Sequence, residues 1–491
     1  MFDDGIPDHA GLAELAEGLA AGRWTSAGLV AAYRARIERL DPGFGSVRAV
    51  ADDCEEQARA SDARRAASGA RSPLEGVPVV VKDNIDVAGV PTTGGALALE
   101  HSVPGRDAPL VRRLREAGAV ILAKTNLSEL ANFLTEDMPS GYSSLGGQVL
   151  NPYDTALTPS GSSSGSASAL SLGLAPVAVG TETDGSITSP CEHQSLVGVK
   201  PTLGLVSRTG ILPIAPSQDT AGPMAASVAD AATLLGVIAG SDADDPSTAG
   251  ADEVAARLRS LRTDWPSLTG ARLAVVVAVP EGARREVGRS REDRRGCHDA
   301  LLAALRSAGA ATVEVGVEPQ PQDDEMAVLT FEFAPAVDAY LAALGPAAPV
   351  KTMAELARWN AAHADRALKF GQVHVEQALA IDHETARAAH ETRRDGVRAA
   401  ALSALEAAIG DREAILFPGS GGTSLAARAG WPSLVLPAGY GAASRRPVGA
   451  TLVSRPWTEP RLLAIAGGLE RAHPVRRPPW AINPAAFRGL A

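Results

Sequence analysis

Cysteine, lysine and aromatic residues are scarce in this 491-residue chain, and the cysteine count and the charge balance each remove a class of function. The three cysteines, Cys54, Cys191 and Cys297, are odd in number and far apart, so they spell neither a disulfide framework nor a metal cluster. A reducing, cytoplasmic compartment fits them. Positive charge is also short: the net charge is −11, with no basic cluster outside Arg284–Arg295 and the pair Arg476 and Arg477. That balance excludes nucleic acid as the main partner. The N-terminal MFDDGIPDHAGLAELAEGLAAG is acidic and amphipathic, and no stretch reads as the ~20 apolar residues of a membrane span. Neither a signal peptide nor a membrane partner is expected. Phosphate-cradling loops of the GxxxxGK and GxGxxG types are missing. So are linkers, low-complexity tracts and internal repeats, which leaves one large domain with an inserted part as the expected organisation.

What the chain does contain is hydroxyl and glycine, concentrated in TPSGSSSGSASALSLGLAPVAVGTETDGSITSP from Thr158 to Pro190. The hydroxyls fall in two runs, Ser160–Ser166 and Glu182–Ser186. Glycine lets the backbone turn tightly with its amides open to a ligand, and serine supplies a nucleophile or a proton relay. The alanine-rich segment between the runs reads as a helix followed by a buried strand. The two loops therefore look like halves of one site.

In chain order, Leu12, Leu15 and Leu19, then Leu29, Tyr33 and Ile37, are spaced for two helices, with Thr25 and Ser26 as caps. GVPVVVKDNIDVAG reads as a buried strand with Lys82 at its end. A helix near Ala108–Ala117 and the strand AVILAK make a βαβ-like unit, after which Asn126 or Ser128 starts another helix. From Asp242 to Gln322 two strands flank an arginine-rich helix, read as a peripheral insertion. A helical part then runs to Ile409 and brings Phe331, Phe333, Tyr340 and Trp359 together, as a substrate wall or as core. AILFP, SLVLPAG and VGATLVS return as strands. Alternation of this kind points to an α/β sheet whose ligand site lies at the strand ends.

Three chemistries compete for the serines. Gly161–Gly165 matches the GxSxG elbow with Ser163 in the middle, but an elbow follows a buried strand directly, and here NPYDTALTPS precedes it. Its histidine would be something like His473, in surroundings that suggest exposure. A phosphate loop lacks its lysine. The third chemistry pairs serine with a lysine kept neutral. Only five of the 46 basic residues are lysine: Lys82, Lys124, Lys200, Lys351 and Lys369. Lys124 and Lys200 read as strand-end side chains that snorkel. Lys82 adjoins a polar loop suited to a site, and Val79, Val80 and Val81 beside it would disfavour a charged amine. No serine stands three residues before any lysine, so such a site must be assembled from distant segments.

The ordered set GVPVVVKDNIDVAG, GSSSGSASA, VGTETDGSI, VGVKPTLGLVSRTGILP and SQDTAGPMAASVADAA resembles the amidase signature family, from about Leu12 to Pro479. The resemblance implies a single α/β domain over 1–491, with a mixed central β-sheet covered by α-helices on both faces. Within it, 1–70 would be helical, 71–240 the catalytic core, 241–330 the peripheral insertion, 331–410 a substrate-side helical region and 411–491 a return to the core sheet. It also implies a Ser-cisSer-Lys triad: Lys82 as general base, Ser162 as the cis-peptide serine and Ser186 as nucleophile. Backbone N–H groups of Thr183, Asp184, Gly185 and Ser186 would form the oxyanion hole. No cofactor and no metal are implied.

Departures narrow the resemblance. Asp184 replaces a glycine and Thr188 an arginine, and this TETDGSI form is similar to a bacterial peptide-amidase-like branch. A small amide or peptide-amide substrate is therefore expected, acted on by a monomer or homodimer. The alternatives are an acyltransferase using the same triad and a glutaminase-type amidotransferase subunit with a partner. Glu192 and His193, just beyond Ser186, are candidates for altering substrate choice.

Overall fold

The computed structural model describes residues 2–265, 267–277, 291–318 and 320–487, so the arginines at 284, 285 and 289 lie outside the described residues. Strands β1 (Val47–Val50), β2 (Pro78–Lys82) and β3 (Val120–Thr125) come first, and β4 (Tyr142–Ser143) and β5 (Gly147–Gln148) form a separate hairpin. Next are β6 (Val177–Glu182), β7 (Val197–Lys200) and β8 (Thr220–Ala225), then β9 (Arg272–Val276) and β10 (Ala311–Val315). The last three are β11 (Ala414–Pro418), β12 (Ser433–Tyr440) and β13 (Pro447–Val453). Apart from the hairpin they make one sheet in the order β1-β3-β2-β6-β8-β7-β12-β13-β11-β9-β10. The sheet is mixed: β2 runs parallel to both β3 and β6, whereas β8 is antiparallel to β6 and β7.

Local sequence explains the central elements. All five residues of β2 are buried, as an interior strand between parallel neighbours requires, and this is why Val79–Val81 is continuous rather than alternating. The helix Ser26–Leu40 starts where the Thr25 hydroxyl accepts the Gly28 N–H at 3.0 Å. The helix Ser164–Ser171 is buried along its whole length although half its residues are serine. Its hydroxyls are satisfied: Ser166 bonds Thr125 Oγ1 at 2.7 Å, Ser168 donates to the Leu150 carbonyl at 2.8 Å and Ser171 to that of Gln194 at 2.8 Å.

The main core fills the space between sheet and helices, and a second cluster around Phe133, Phe333, Val337 and Met353 lies outside it. The segment expected to be peripheral contributes β9 and β10, the outermost strands of the same sheet, with the helix Arg291–Ser307 beside them.

By length and composition alone the segment Asp323–Ala347, which contains the helix Asp323–Leu344, is apolar enough to cross a membrane, although Glu332 and Asp338 interrupt its apolar run. In the fold it buries Phe333, Val337 and Leu341 in the second cluster, where its apolar face has protein to pack against. The four aromatics form no common wall. Phe333 meets Phe133 edge-on, Phe331 stacks on His390 and Trp359 on His363, because helical spacing sends them to different neighbours. The helix after Asn126 is a single irregular turn, Glu129–Asn132, with Leu130, Ala131 and Asn132 all at positive φ.

Candidate active site

Lys82 ends β2 with no solvent exposure. Its Nζ lies 2.7 Å from Ser162 Oγ and 2.8 Å from Thr181 Oγ1, and donates to the Thr181 carbonyl at 3.3 Å. Asn84 braces the same hydroxyl, Nδ2 donating to Thr181 Oγ1 at 3.0 Å. Burial pushes the Lys82 amine down to about 7, against the opposing pull of Glu182 and Asp219.

The first serine run carries Ser162 to this amine. The Gly161–Ser162 peptide bond is cis, and the Ser162 carbonyl accepts from Ser128 N at 3.1 Å. Ser163, the middle of the GxSxG match, is fully buried and spent on β6: its hydroxyl donates to the Thr181 carbonyl at 3.2 Å. His473 is half-buried, its Nε2 3.0 Å from the Ala438 carbonyl oxygen.

The second run is a turn at the end of β6. Gly185 has φ +80°, a left-handed conformation that glycine adopts without penalty. Ser163 N donates to the Ser186 carbonyl at 3.1 Å and thereby ties the two runs together. The Glu182 carboxylate accepts from Ile187 N at 2.7 Å and Thr188 N at 2.8 Å. The N–H groups of Thr183, Asp184, Gly185 and Ser186 have no acceptor among the described residues. Four consecutive open amides on a tight turn are donors available to a ligand. No hydrogen bond joins the Ser186 and Ser162 hydroxyls among the described residues; free enzymes often close such contacts only on substrate.

The other lysines do not snorkel. Lys124 is fully buried, 2.9 Å from Thr92 Oγ1 and 3.2 Å from Asp83 Oδ1, with Arg48 Nε 2.5 Å from Asp83 Oδ2. Lys200 is equally buried and donates to the Pro201 carbonyl at 3.2 Å; burial holds it at about 8 against the pull of Glu182 and Glu459. Each has opposite charge near it inside the fold, Asp83 for Lys124 and Glu182 and Glu459 for Lys200, from segments a short sequence window does not include.

Glu192 is buried with its side chain near Gly419 and Gly449, and His193 Nδ1 lies 2.9 Å from the Ser189 carbonyl oxygen. Neither lines the cavity of about 1050 Å³ beside the site, whose walls include Asn84, Thr181, Thr183, Asp219, Arg208 and Tyr340. Ser186 is not among those walls either. Sequence reasoning gave no role to Thr181, Asn84, Gln218 or Asp219. Asn84 sits in the VKDN motif and the last two in SQDTAG, so the signal was proximity to a motif and no more. Among the described residues no group of three or more metal-ligating side chains occurs.

Comparison with known proteins bears on this arrangement. Residues 28–425 match the family model described as Amidase. The chain belongs to the amidase family. This amidase is 36% identical over 468 residues to a probable amidase of Arabidopsis thaliana, covering 93% of this chain and 88% of that one. Its structure resembles that of a peptide amidase from Stenotrophomonas maltophilia, with a TM-score of 0.87, 38% identity and coverage of 96% and 98%. One glutamyl-tRNA(Gln) amidotransferase subunit from Symbiobacterium thermophilum is 42% identical over 257 residues, about half of each chain (52% and 51%). The family and the peptide amidase match make this protein an amide-hydrolysing enzyme with a mixed sheet flanked by helices in one domain.

Proposed function

We propose that this amidase cleaves the C–N bond of a small amide or a C-terminal peptide amide through an acyl-enzyme on Ser186, with Lys82 and Ser162 completing a triad. The observation that carries the reading is the 2.7 Å contact between a fully buried Lys82 amine and the Ser162 hydroxyl. An amine held near 7 is largely uncharged at mildly alkaline pH. Its two N–H bonds can then serve the Thr181 oxygens while its lone pair accepts the Ser162 proton. As Ser186 Oγ attacks the amide carbon, its proton passes to Ser162, and the Ser162 proton to Lys82. The oxyanion forms against the open N–H groups of residues 183–186. Lys82 returns a proton through Ser162 to the departing nitrogen, and water then cleaves the ester by the same relay.

Peptide amides are the first substrate to try, because the structural resemblance to a peptide amidase extends over nearly the whole chain. The partial match to amidotransferase subunits favours a second reading, glutaminase action with a partner. One experiment separates them: fluorophosphonate labelling of Ser186, followed by turnover of peptide amides, aryl amides and glutamine, with and without an added amine. Labelling at Ser186 with release of ammonia from peptide amides is expected. Label on another residue would refute the nucleophile assignment, and turnover of glutamine alone would refute the substrate class.

A further inference from the structure

The turn that carries the open amides is held differently at its two ends. On the C-terminal side main-chain bonds fix it: Ser163 N donates to the Ser186 carbonyl at 3.1 Å and Ser189 N to that of Gly185 at 2.8 Å. At the N-terminal end the hold comes from side chains. The Thr183 hydroxyl donates to Asp219 Oδ1 at 2.5 Å, and Gln218 Nε2 donates to the Thr183 carbonyl at 3.3 Å. Two consecutive residues of SQDTAG therefore grip one residue of the turn by both of its free oxygens.

The grip is itself rigid. Asp219 Oδ2 accepts from Ile214 N and Ala215 N, each at 2.9 Å, and the residue is buried. Gln218 Nε2 also donates to Glu325 Oε1 at 2.9 Å. A carboxylate is an acceptor-only group, so three donors converging on Asp219 leave it one way to sit. Thr183 has no comparable freedom either, because its carbonyl and its hydroxyl are both taken.

We propose that Asp219, acting through the Thr183 hydroxyl, is a positioning residue that sets the direction of the N–H groups of residues 183–186. This rests on the reading of Ser186 as nucleophile. An amide that must meet a developing negative charge gains from being fixed before the reaction, and rotation of the turn would cost rate without weakening ground-state binding. Among the described residues Asp219 hydrogen-bonds neither the nucleophile nor the base; its charge also raises the proton affinity of Lys82, and Thr183→Val, which leaves that charge in place, isolates the orienting contribution.

The test uses Thr183→Val, which deletes the hydroxyl at nearly constant shape, and Thr183→Ser, which keeps it; Asp219→Ala attacks the other partner. Fluorophosphonate labelling of Ser186 counts active sites, so kcat is taken per labelled enzyme and a loss of folded protein does not enter. Expected for Thr183→Val and Asp219→Ala is a fall in kcat of about 10- to 100-fold with KM changed by less than about twofold, together with slower labelling. Thr183→Ser should recover most of the loss. If Thr183→Val keeps wild-type kcat per labelled site, or if serine fails to rescue, the positioning role is overturned while the nucleophile assignment stands. If the wild-type enzyme is not labelled at Ser186, both fall together.

Discussion

The proposed base role asks Lys82 to be neutral and within reach of a hydroxyl; the residue is fully buried and its Nζ lies 2.7 Å from Ser162 Oγ. Burial lowers its affinity for a proton, while Glu182 and Asp219 pull the other way and keep the amine near 7. The sign for catalysis follows: below about 7 the amine is protonated and cannot accept, so kcat/KM should rise with pH through that region and level off above it. A pH–rate profile that stays flat between pH 5 and 9 would remove Lys82 from the base role. Lys82→Arg should be inactive, because a guanidinium stays charged at any such pH. The neighbouring serines should part company. Ser162→Ala is expected to lose about 10³-fold or more in kcat, as deletion of a relay group does. Ser163→Ala should stay within a few-fold of wild type and lose about 1 to 2 kcal/mol of stability, since it gives up two buried hydrogen bonds, one donated to the Thr181 carbonyl and one accepted from the Thr181 N–H. Steady-state kinetics with a denaturation curve for each variant decides between them.

The helix Ser164–Ser171 is the element on which the two loops hang, and it lies closer to its neighbours than a side chain would allow. A Cβ on Gly165 would stand 2.4 Å from the carbonyl oxygens of Asn126 and Ser46. Both obstacles are backbone, so Gly165→Ala must push the helix off β3 and the segment before β1; a loss of about 3 kcal/mol or more is expected, at the upper end of overpacking costs. Gly185 is the opposite case. Its Cβ would find open contacts at 3.8 Å, but at φ +80°. Gly185→Ala should therefore cost only about 1 to 2 kcal/mol while reducing kcat, because the open amides would turn with the backbone. Thermal unfolding of the two variants side by side tests this contrast: equal losses would mean that the turn is more crowded than its contacts indicate.

At the level of the whole molecule, the helical part from 323 to 409 is joined to the helix Thr423–Ala429, which connects two C-terminal strands, through a buried ion pair. Arg428 Nη2 lies 2.5 Å from Glu325 Oε2, both side chains under 5% exposed, and Arg428 Nη1 donates to the Pro321 carbonyl at 3.1 Å. The same Glu325 receives Gln218, so the pair also backs the segment that grips Thr183. Removing one partner leaves the other charge buried. Arg428→Ala should lower stability by about 3 to 5 kcal/mol, read from urea denaturation midpoints. A loss under about 1 kcal/mol would show that water reaches the pair and that the two layers are joined by apolar packing alone.

Much of this architecture was legible without coordinates. The unbroken valines of β2, the helix and strand between the two hydroxyl runs, and Lys82 at a strand end all express short-range periodicity, which a window of ten residues contains. The ordered motifs carried the family, and with it a mixed sheet. What the sequence could not decide was partnership between side chains far apart in the chain. Lys124 and Lys200 looked like surface lysines because the carboxylates around them, Asp83, Glu182 and Glu459, belong to other segments. Phe331, Phe333, Tyr340 and Trp359 could be read as a substrate wall or as core, because spacing gives a helix face but not its neighbour. Asp219 and Thr183 are 36 residues apart; they meet only because β8 returns antiparallel beside β6. Residue type and local spacing fix which groups are available for chemistry, whereas the path of the chain through the sheet fixes which of them touch.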